Sequence, residues 1–169
     1  IVDTASFPYV STSFPALSAK GAYDSNHVYT PHDVAGIVRY AKFRGVRVIP
    51  EFDSPGHTMP AWGKGGPPDL LTTCGSSLGP LRADRNQTYD FLSRLLTEVA
   101  QAFPDQTFHA GGDEVSWVCG HAALLALRRL VFARLAAGLR RGSLFGDVVP
   151  FHCWSARFLP SVRLVLPLR

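Results

Sequence analysis

The chain of 169 residues has room for one domain of ordinary size, and its 46% hydrophobic and 18% charged residues exclude a disordered protein. It contains no apolar run of about 18 residues, so we expect no transmembrane helix. We also expect no signal peptide, because no basic, apolar and small-residue segments open the chain. The first residue is Ile1 and not Met, which suggests a piece of a longer sequence.

The net charge of +4 is unevenly distributed along the chain. Residues 1–120 carry 9 Lys and Arg against 12 Asp and Glu, whereas residues 121–169 carry 8 Arg and a single acid, Asp147. A basic tail is one signature of binding to nucleic acid or to an anionic surface. Here the arginines lie among Leu, Ala, Val and Phe without an aromatic platform or a nucleic-acid motif, so we predict no nucleic-acid partner.

The first predicted helix begins at Thr30-Pro31. Thr suits an N-cap, Pro suits the first helical position, and the charge of Asp33 is favoured near a helix N-terminus. An apolar stripe at helical spacing follows, formed by Val34, Ile37, Val38 and Ala41. We expect Gly45 to end this helix in the left-handed conformation.

Helical and extended patterns alternate after this point. Residues 46–52 predict a buried strand, residues 88–103 a second helix, and residues 107–110 a further strand. These two strands are the second and the third of the chain, because Ile1-Val2-Asp3 has the character of the end of a first strand. The apolar face of the second helix consists of Tyr89, Leu92, Leu95, Leu96 and Val99. Short helix-to-strand turns are typical of a parallel α/β sheet. The long segments after the strands suit both a (β/α)₈ barrel and a doubly wound sheet, and the pattern alone leaves both open.

The character of the sequence changes at Gly120. Residues 121–138 have the length of a helix but are apolar or Arg on almost every face. One interpretation is an amphipathic helix on a membrane surface. We favour the alternative that this stretch was never selected to pack on the preceding residues. We therefore divide the chain into residues 1–119 and a divergent tail, residues 120–169.

Polar residues recur at the carboxyl ends of the predicted strands. Asp3 ends the first apolar pair, Asp53 and His57 lie in the segment 51–57 after the second strand, and Asp113-Glu114 follow the third. Each one alone is compatible with a surface turn or a cap. Their recurrence at the same edge of a parallel sheet predicts a functional site.

The pair Asp113-Glu114 carries the sharpest chemical signal. Adjacent residues of a regular strand point to opposite faces, so both side chains reach one pocket only where the regular strand ends. Gly111-Gly112 permit the backbone to leave the strand conformation there. Two crowded carboxyl groups cannot ionise equally easily, so one of the two pKa values rises, as a general acid beside a charge stabiliser requires. Glycosidic cleavage uses such a pair, and so do some metal sites. No HxxxH or CxxC spacing supports a metal, and we predict none.

Three cysteines, Cys74, Cys119 and Cys153, allow at most one internal disulfide. A Cys74–Cys119 bridge would tie the long loop to the segment after the carboxylate pair, and three reduced buried thiols are the alternative. Asn86-Gln87-Thr88 is a glycosylation sequon at the start of the second helix. Together they favour the secretory route.

Several motifs of the chain resemble those of glycoside hydrolase family 20, and most closely the two subunits of the animal lysosomal β-N-acetylhexosaminidases. The resemblance is continuous over residues 1–119. The motifs are Ser6-Phe7-Pro8-Tyr9, Phe14-Pro15-Ala16-Leu17, Lys20-Gly21-Ala22-Tyr23, Val28-Tyr29-Thr30-Pro31, the run from Arg44 to Thr58, Leu70-Leu71-Thr72-Thr73-Cys74 and Gly111-Gly112-Asp113-Glu114-Val115.

The resemblance implies an α/β fold, a partial (β/α)₈ TIM barrel of roughly strands two to four. It implies hydrolysis of terminal β-linked N-acetylglucosamine or N-acetylgalactosamine with retention, the nucleophile being the substrate's own 2-acetamido oxygen. Glu114 would be the general acid and then the base, and Asp113 would orient the acetamido group. His57 and Asp3 would form a supporting hydrogen-bond pair.

The resemblance further implies a Cys74–Cys119 disulfide, a glycan on Asn86, a lysosomal location and no metal or cofactor. Its substrates would be glycans or glycolipids, and the full-length enzymes are dimers. The strand with the arginine that grips the sugar and the later strands that close the pocket have no counterpart here. Because half a barrel leaves open sheet edges, we expect the isolated chain to fold poorly and to show little activity. The alternative is a truncated isoform that binds sugar or a full-length subunit without catalysis.

Overall fold

The computed structural model describes residues 1–74, 76–105 and 107–112, and the backbone of residues 165–167. The helices are α1 (Ala16–Gly21), α2 (Pro31–Lys42), α3 (Ala61–Gly65) and α4 (Asn86–Ala102). The strands are β1 (Leu71–Cys74), β2 (Ser77–Leu81), β3 (Thr107–His109) and β4 (Val165–Pro167). The helix considered for residues 121–138 lies outside the described residues.

The predicted start and end of α2 are confirmed. Asp33 N donates to Thr30 Oγ1 at 3.2 Å and Thr30 N donates to Asp33 Oδ2 at 2.9 Å, a capping box. Gly45 follows the helix with φ +66°. The predicted stripe is wrong at Ile37, which is 43% exposed while Val34 is buried. Three residues advance less than a full turn, so Ile37 lies at the margin of the buried stripe.

The amphipathic face of α4 is also confirmed. Tyr89, Leu92, Leu95 and Val99 are buried, and Leu96 packs partly buried against the same core. The helix begins two residues before the predicted start, at Asn86, which is exposed. The sequon asparagine therefore lies at an accessible helix start, as expected.

The strand predicted over residues 46–52 is largely wrong. Residues 46–50 form no regular strand, and only Glu51 and Phe52 take part in bridges. Val46 and Ile49 are 57% and 41% exposed. An apolar run forms a buried strand only where neighbouring strands pair with it and helices cover it. Among the described residues, that pairing begins at the end of the run.

Parallel pairing occurs where the three segments 1–3, 50–54 and 107–110 lie side by side. Val2 pairs with Phe52 and Glu51 pairs with His109, both in parallel. His109 N donates to Pro50 O at 2.9 Å and Phe52 N donates to His109 O at 3.1 Å. The carboxyl ends of the three segments therefore meet at one edge, as the sequence predicts.

The regular strands of the described residues form two antiparallel pairs, which differs from the expected parallel sheet. One is a hairpin of β1 and β2 within the segment expected to be a long loop, and the other pairs β3 with β4. The third predicted strand, residues 107–110, is found as β3. The described residues thus contain parallel bridges of an α/β fold but no barrel.

Phe52 is the centre of an aromatic core between the strand segments and the helices. Its ring lies 6.2 Å from Phe7, 5.1 Å from Tyr9 and 6.3 Å from Phe108, measured between centroids. Phe7 in turn meets Trp62 of α3 edge to face at 5.2 Å. Full burial of Phe52 contributes about 1.5–3 kcal/mol relative to an exposed ring.

Glu98 connects α4 to the loop of residues 9–13. Its carboxylate accepts hydrogen bonds from Tyr9 Oη at 3.2 Å, Ser11 Oγ at 3.0 Å, Thr12 N at 3.0 Å and Ser13 N at 2.8 Å. Burial acts to raise the pKa of Glu98, but these donors, led by the Ser13 N–H, leave the pKa below its ordinary value. Burial and the nearby Glu98 charge raise the pKa of the Tyr9 hydroxyl.

We predict that Glu98→Gln destabilises the full chain by about 1–3 kcal/mol at neutral pH, because an amide cannot accept all four hydrogen bonds. A carboxyl whose folded-state pKa is depressed stabilises the fold above its unfolded pKa and loses that contribution as pH falls through the folded value. The difference between wild type and variant should therefore shrink on acidification. Urea denaturation of both proteins between neutral and acidic pH measures this difference in the free energy of unfolding.

The control is Asp90→Asn on the exposed face of the same helix, for which we expect a change within about 0.5 kcal/mol. An equal loss of stability for the two variants would contradict a special role of Glu98.

Candidate active site

The alternation of side chains along the strand segments separates the core from the candidate site. Phe52 and Phe108 stack on one face with an interplanar angle of 26°. Their neighbours Glu51 and His109 meet on the other face, where Glu51 Oε1 lies 3.0 Å from His109 Nδ1. Because adjacent residues of a strand point to opposite faces, packing of the two rings directs the polar side chains away from the helices.

The Gly111-Gly112 turn contacts Asp53 at the carboxyl edge. Gly112 N donates to Asp53 Oδ1 at 2.6 Å, and Asp53 is only 7% exposed. The two glycines have φ values of +65° and +106°. A Cβ atom on Gly111 would collide with the Asp53 carboxylate. The predicted need for glycine at this departure from the strand is therefore confirmed.

Asp3 and His57 form a second polar contact of the candidate site. Asp3 Oδ1 lies 2.8 Å from His57 Nδ1, and Thr4 N donates to the same oxygen at 2.5 Å. The Thr4 N–H, assisted by His57, holds the pKa of the Asp3 carboxyl below its ordinary value. The hydrogen-bond pair that the sequence predicts is thus present, although its residues are 54 positions apart.

The structure brings together Asp3, His57 and Asp53, and it carries the chain to the position before Asp113. Asp113, Glu114 and Cys119 lie outside the described residues, so their predicted roles stay predictions. Cys74 ends β1. Sequence reasoning missed His109 as a site residue, although the alternation in Thr107-Phe108-His109 places it opposite the buried Phe108.

Two features are absent from the described part of the chain. No group of three or more His, Cys, Asp and Glu is arranged there to hold a metal ion. No helix there has the length and apolar character that crossing a bilayer needs. The expectation of no metal stays a prediction, because Asp113 and Glu114 lie outside the described residues.

A model of the glycosyl hydrolase family 20 catalytic domain matches residues 1–157. The chain belongs to this family. The match extends beyond residue 119, where the notable motifs of the sequence end. Whether a divergent tail begins at residue 120 stays a prediction.

Curated relatives include β-hexosaminidase subunits. The chain is 53% identical to the human subunit beta over 125 residues, which are 70% of this chain and 22% of the human one. It is 48% identical to the mouse subunit alpha over 126 residues, again 70% of this chain and 24% of the relative. The chain therefore spans less than a quarter of the length of these relatives.

Solved structures of the family superpose on a large part of this chain. The family 20 β-N-acetylhexosaminidase of Streptomyces coelicolor A3(2) superposes with a TM-score of 0.60 at 27% identity, covering 82% of this chain and 30% of the enzyme. Family and neighbours together imply a TIM-barrel catalytic domain. The described residues correspond to a part of such a domain.

We predict that Gly111→Ala destabilises the chain by more than the roughly 1–2 kcal/mol that a left-handed backbone costs an ordinary residue, because its Cβ also meets Asp53. Gly36→Ala is the matched control. Nothing lies within 4 Å of a Cβ atom at Gly36 in α2, so alanine there should stabilise by about 0.5–1 kcal/mol. Urea denaturation measures both, and a tolerated alanine at position 111 would contradict the geometry.

Proposed function

We propose that this chain is the part of a β-N-acetylhexosaminidase that carries the catalytic carboxyl groups. The observation that carries the proposal is the Asp53-bound glycine turn, which directly precedes Asp113-Glu114 in the sequence, together with the Asp3–His57 pair. The family match and the hexosaminidase relatives support this proposal. The substrates are glycans or glycolipids with a terminal β-linked N-acetylglucosamine or N-acetylgalactosamine.

In the proposed reaction Glu114 donates a proton to the glycosidic oxygen as the bond from that oxygen to the anomeric carbon breaks. The acetamido oxygen of the substrate forms the new bond to the anomeric carbon, and the leaving group departs as an alcohol. The resulting oxazolinium ion is positively charged, and the Asp113 carboxylate stabilises it and orients the acetamido group.

Glu114, now a carboxylate, takes a proton from water, and the water oxygen attacks the anomeric carbon. This second displacement opens the oxazolinium ring and gives the product with retention. The Asp3–His57 pair supports the acid, and the lowered pKa of Asp3 keeps a negative charge beside the imidazole. We expect His57 to hold Glu114 through this arrangement.

We further propose that residues 1–119 supply roughly strands two to four of a TIM barrel. The three parallel segments of the described residues support this proposal. The chain covers less than a third of the Streptomyces enzyme, and a full barrel builds its pocket from the ends of all its strands. We therefore expect little or no hydrolysis by the isolated chain.

The same family relationship supports several finer assignments. We assign Cys119 as the disulfide partner of Cys74. Asn86 would carry a glycan, and the location would be lysosomal. Dimerisation, as in full-length family members, is proposed on the same ground.

A second candidate is a truncated isoform that binds sugar or a full-length subunit without catalysis. The described residues support it in that they form parallel bridges but no barrel, and a barrel enzyme builds its pocket from the ends of all its strands. This alternative predicts binding that survives the loss of the catalytic acid.

We predict that any hydrolysis of an aryl N-acetyl-β-glucosaminide by the chain at mildly acidic pH falls by on the order of 10²-fold or more in Glu114→Gln. The amide has the shape of the carboxylic acid but carries no acidic proton for the glycosidic oxygen. The assay compares the purified wild-type chain, Glu114→Gln and the control Asp90→Asn, which makes the same change from carboxylate to amide at an exposed position of α4.

Turnover in the wild type that only Glu114→Gln removes would establish a complete pocket. Absence of turnover in all three, with sugar or subunit binding retained in Glu114→Gln, would favour the second candidate. Turnover retained in Glu114→Gln would contradict the assignment of the acid.

We also predict a covalent link between Cys74 and Cys119. Peptide mapping without reduction should find this pair, and Cys74→Ala should lower the free energy of unfolding by about 2–4 kcal/mol, because the bridge closes a long loop. Cys153→Ala is the matched control and should leave the link intact. A link between Cys74 and Cys153 would overturn the pairing.

A further inference from the structure

His109 occupies the point where β3 gives way to the glycine turn. It is the last residue of β3 and only 7% exposed. Gly111 N donates to His109 Nδ1 at 3.2 Å, a bond from the amide two residues further along the chain to a side-chain acceptor. Asn and Asp close turns with the same spacing, so the imidazole here substitutes for an Asx side chain.

The two amides of the glycine pair are thus held by side chains from two neighbouring segments. His109 on β3 accepts from Gly111 N, and Asp53 on the adjacent parallel segment accepts from Gly112 N at 2.6 Å. Gly111 N belongs to the peptide plane of residues 110–111 and Gly112 N to the plane of residues 111–112, so the two bonds together fix φ and ψ of Gly111. The turn is thereby held as far as Gly112, the last described residue before Asp113.

The protonation of the imidazole decides whether the Gly111 bond forms. Nδ1 accepts from Gly111 only when the proton of the neutral ring is on Nε2. Glu51 Oε1, 3.0 Å from Nδ1, would favour a proton on Nδ1, but the Glu51 side chain is 42% exposed and water weakens its attraction. Nε2 is buried and has no hydrogen-bond partner within the described part of the chain.

We infer that His109 is a positioning residue, whose Nδ1 fixes the Gly111-Gly112 turn that directly precedes Asp113 and Glu114 in the sequence. The inference rests on the proposed function for the role of the two carboxyl groups. The hydrogen bond itself is measurable without any catalysis, so a failure of this inference can be distinguished from a failure of the proposed function.

The experiment compares His109→Asn with His109→Gln in the full chain. The amide oxygen of Asn takes the place of Nδ1 and closes the same turn, whereas Gln places its amide where Nε2 is. In the wild type, nuclear magnetic resonance should detect a coupling across the hydrogen bond between the Gly111 nitrogen and Nδ1. Hydrogen exchange of the Gly111 amide should stay slow in His109→Asn and accelerate on the order of tenfold in His109→Gln.

Where the wild type hydrolyses the aryl glycoside, His109→Gln should lower kcat with little change of KM, and His109→Asn should retain most of kcat. A protonated Nδ1 without the coupling in the wild type would overturn the inference. Equal exchange of the Gly111 amide in the two variants would overturn it as well. If His109→Gln fails to fold, the presence or absence of the coupling between Gly111 N and His109 Nδ1 in the wild type tests the inference by itself.

Discussion

The packing of Phe52 is the interaction on which both the fold and the candidate site depend. One short segment carries this ring into the aromatic core and, at the same time, presents Glu51 and Asp53 to the opposite face. A shift of this segment by one residue would exchange the two faces and bury two carboxylates among aromatic rings, which is prohibitively costly. The hydrophobic core therefore enforces the register of the polar residues, and no separate interaction is needed to point them at one another.

The second constraint is the glycine pair at the end of β3. Asp53 approaches Gly111 so closely that a side chain there has no space, and both glycines adopt positive φ values. A left-handed pair ends the strand pleat abruptly, so consecutive residues after it need not point to opposite faces. Two adjacent carboxyl groups serve one reaction only under that condition. The backbone conformation and the chemistry proposed for Asp113 and Glu114 are thus linked by a single steric requirement.

The sequence predicted what local signals encode. The N-cap at Thr30, the left-handed Gly45 and the apolar face of α4 depend on neighbours a few positions away, and all are found. The meeting of Asp3 and His57 was predicted from a resemblance and not from spacing. The glycine turn was predicted from the steric freedom of glycine alone.

The features that the sequence analysis predicted wrongly or missed depend on residues that are distant in the sequence. Residues 46–50 have the composition of a strand, but strand formation needs a neighbour, and pairing in the described residues begins only at Glu51. The β1–β2 hairpin was missed because Gly and Pro made its segment look like a loop. The contacts of Glu98 with residues 9–13 span more than 80 positions, which no local pattern reveals.

The contacts of Glu98 with residues 9–13 also explain how the ends of the parallel segments are held in position within residues 1–112. Its carboxylate holds the loop after the first segment against α4, the helix between the second and third segments. Tyr9 joins the same carboxylate to the ring of Phe52, so loop, helix and core are one connected unit. The arrangement of Asp3, Asp53 and Gly112 therefore depends on contacts within residues 1–112. A complete sugar pocket needs the ends of further strands, because a barrel enzyme draws its site from the whole circle of loops. Positioning of the glycine turn and completion of a sugar pocket are consequently separate properties, and the first can exist in this chain without the second.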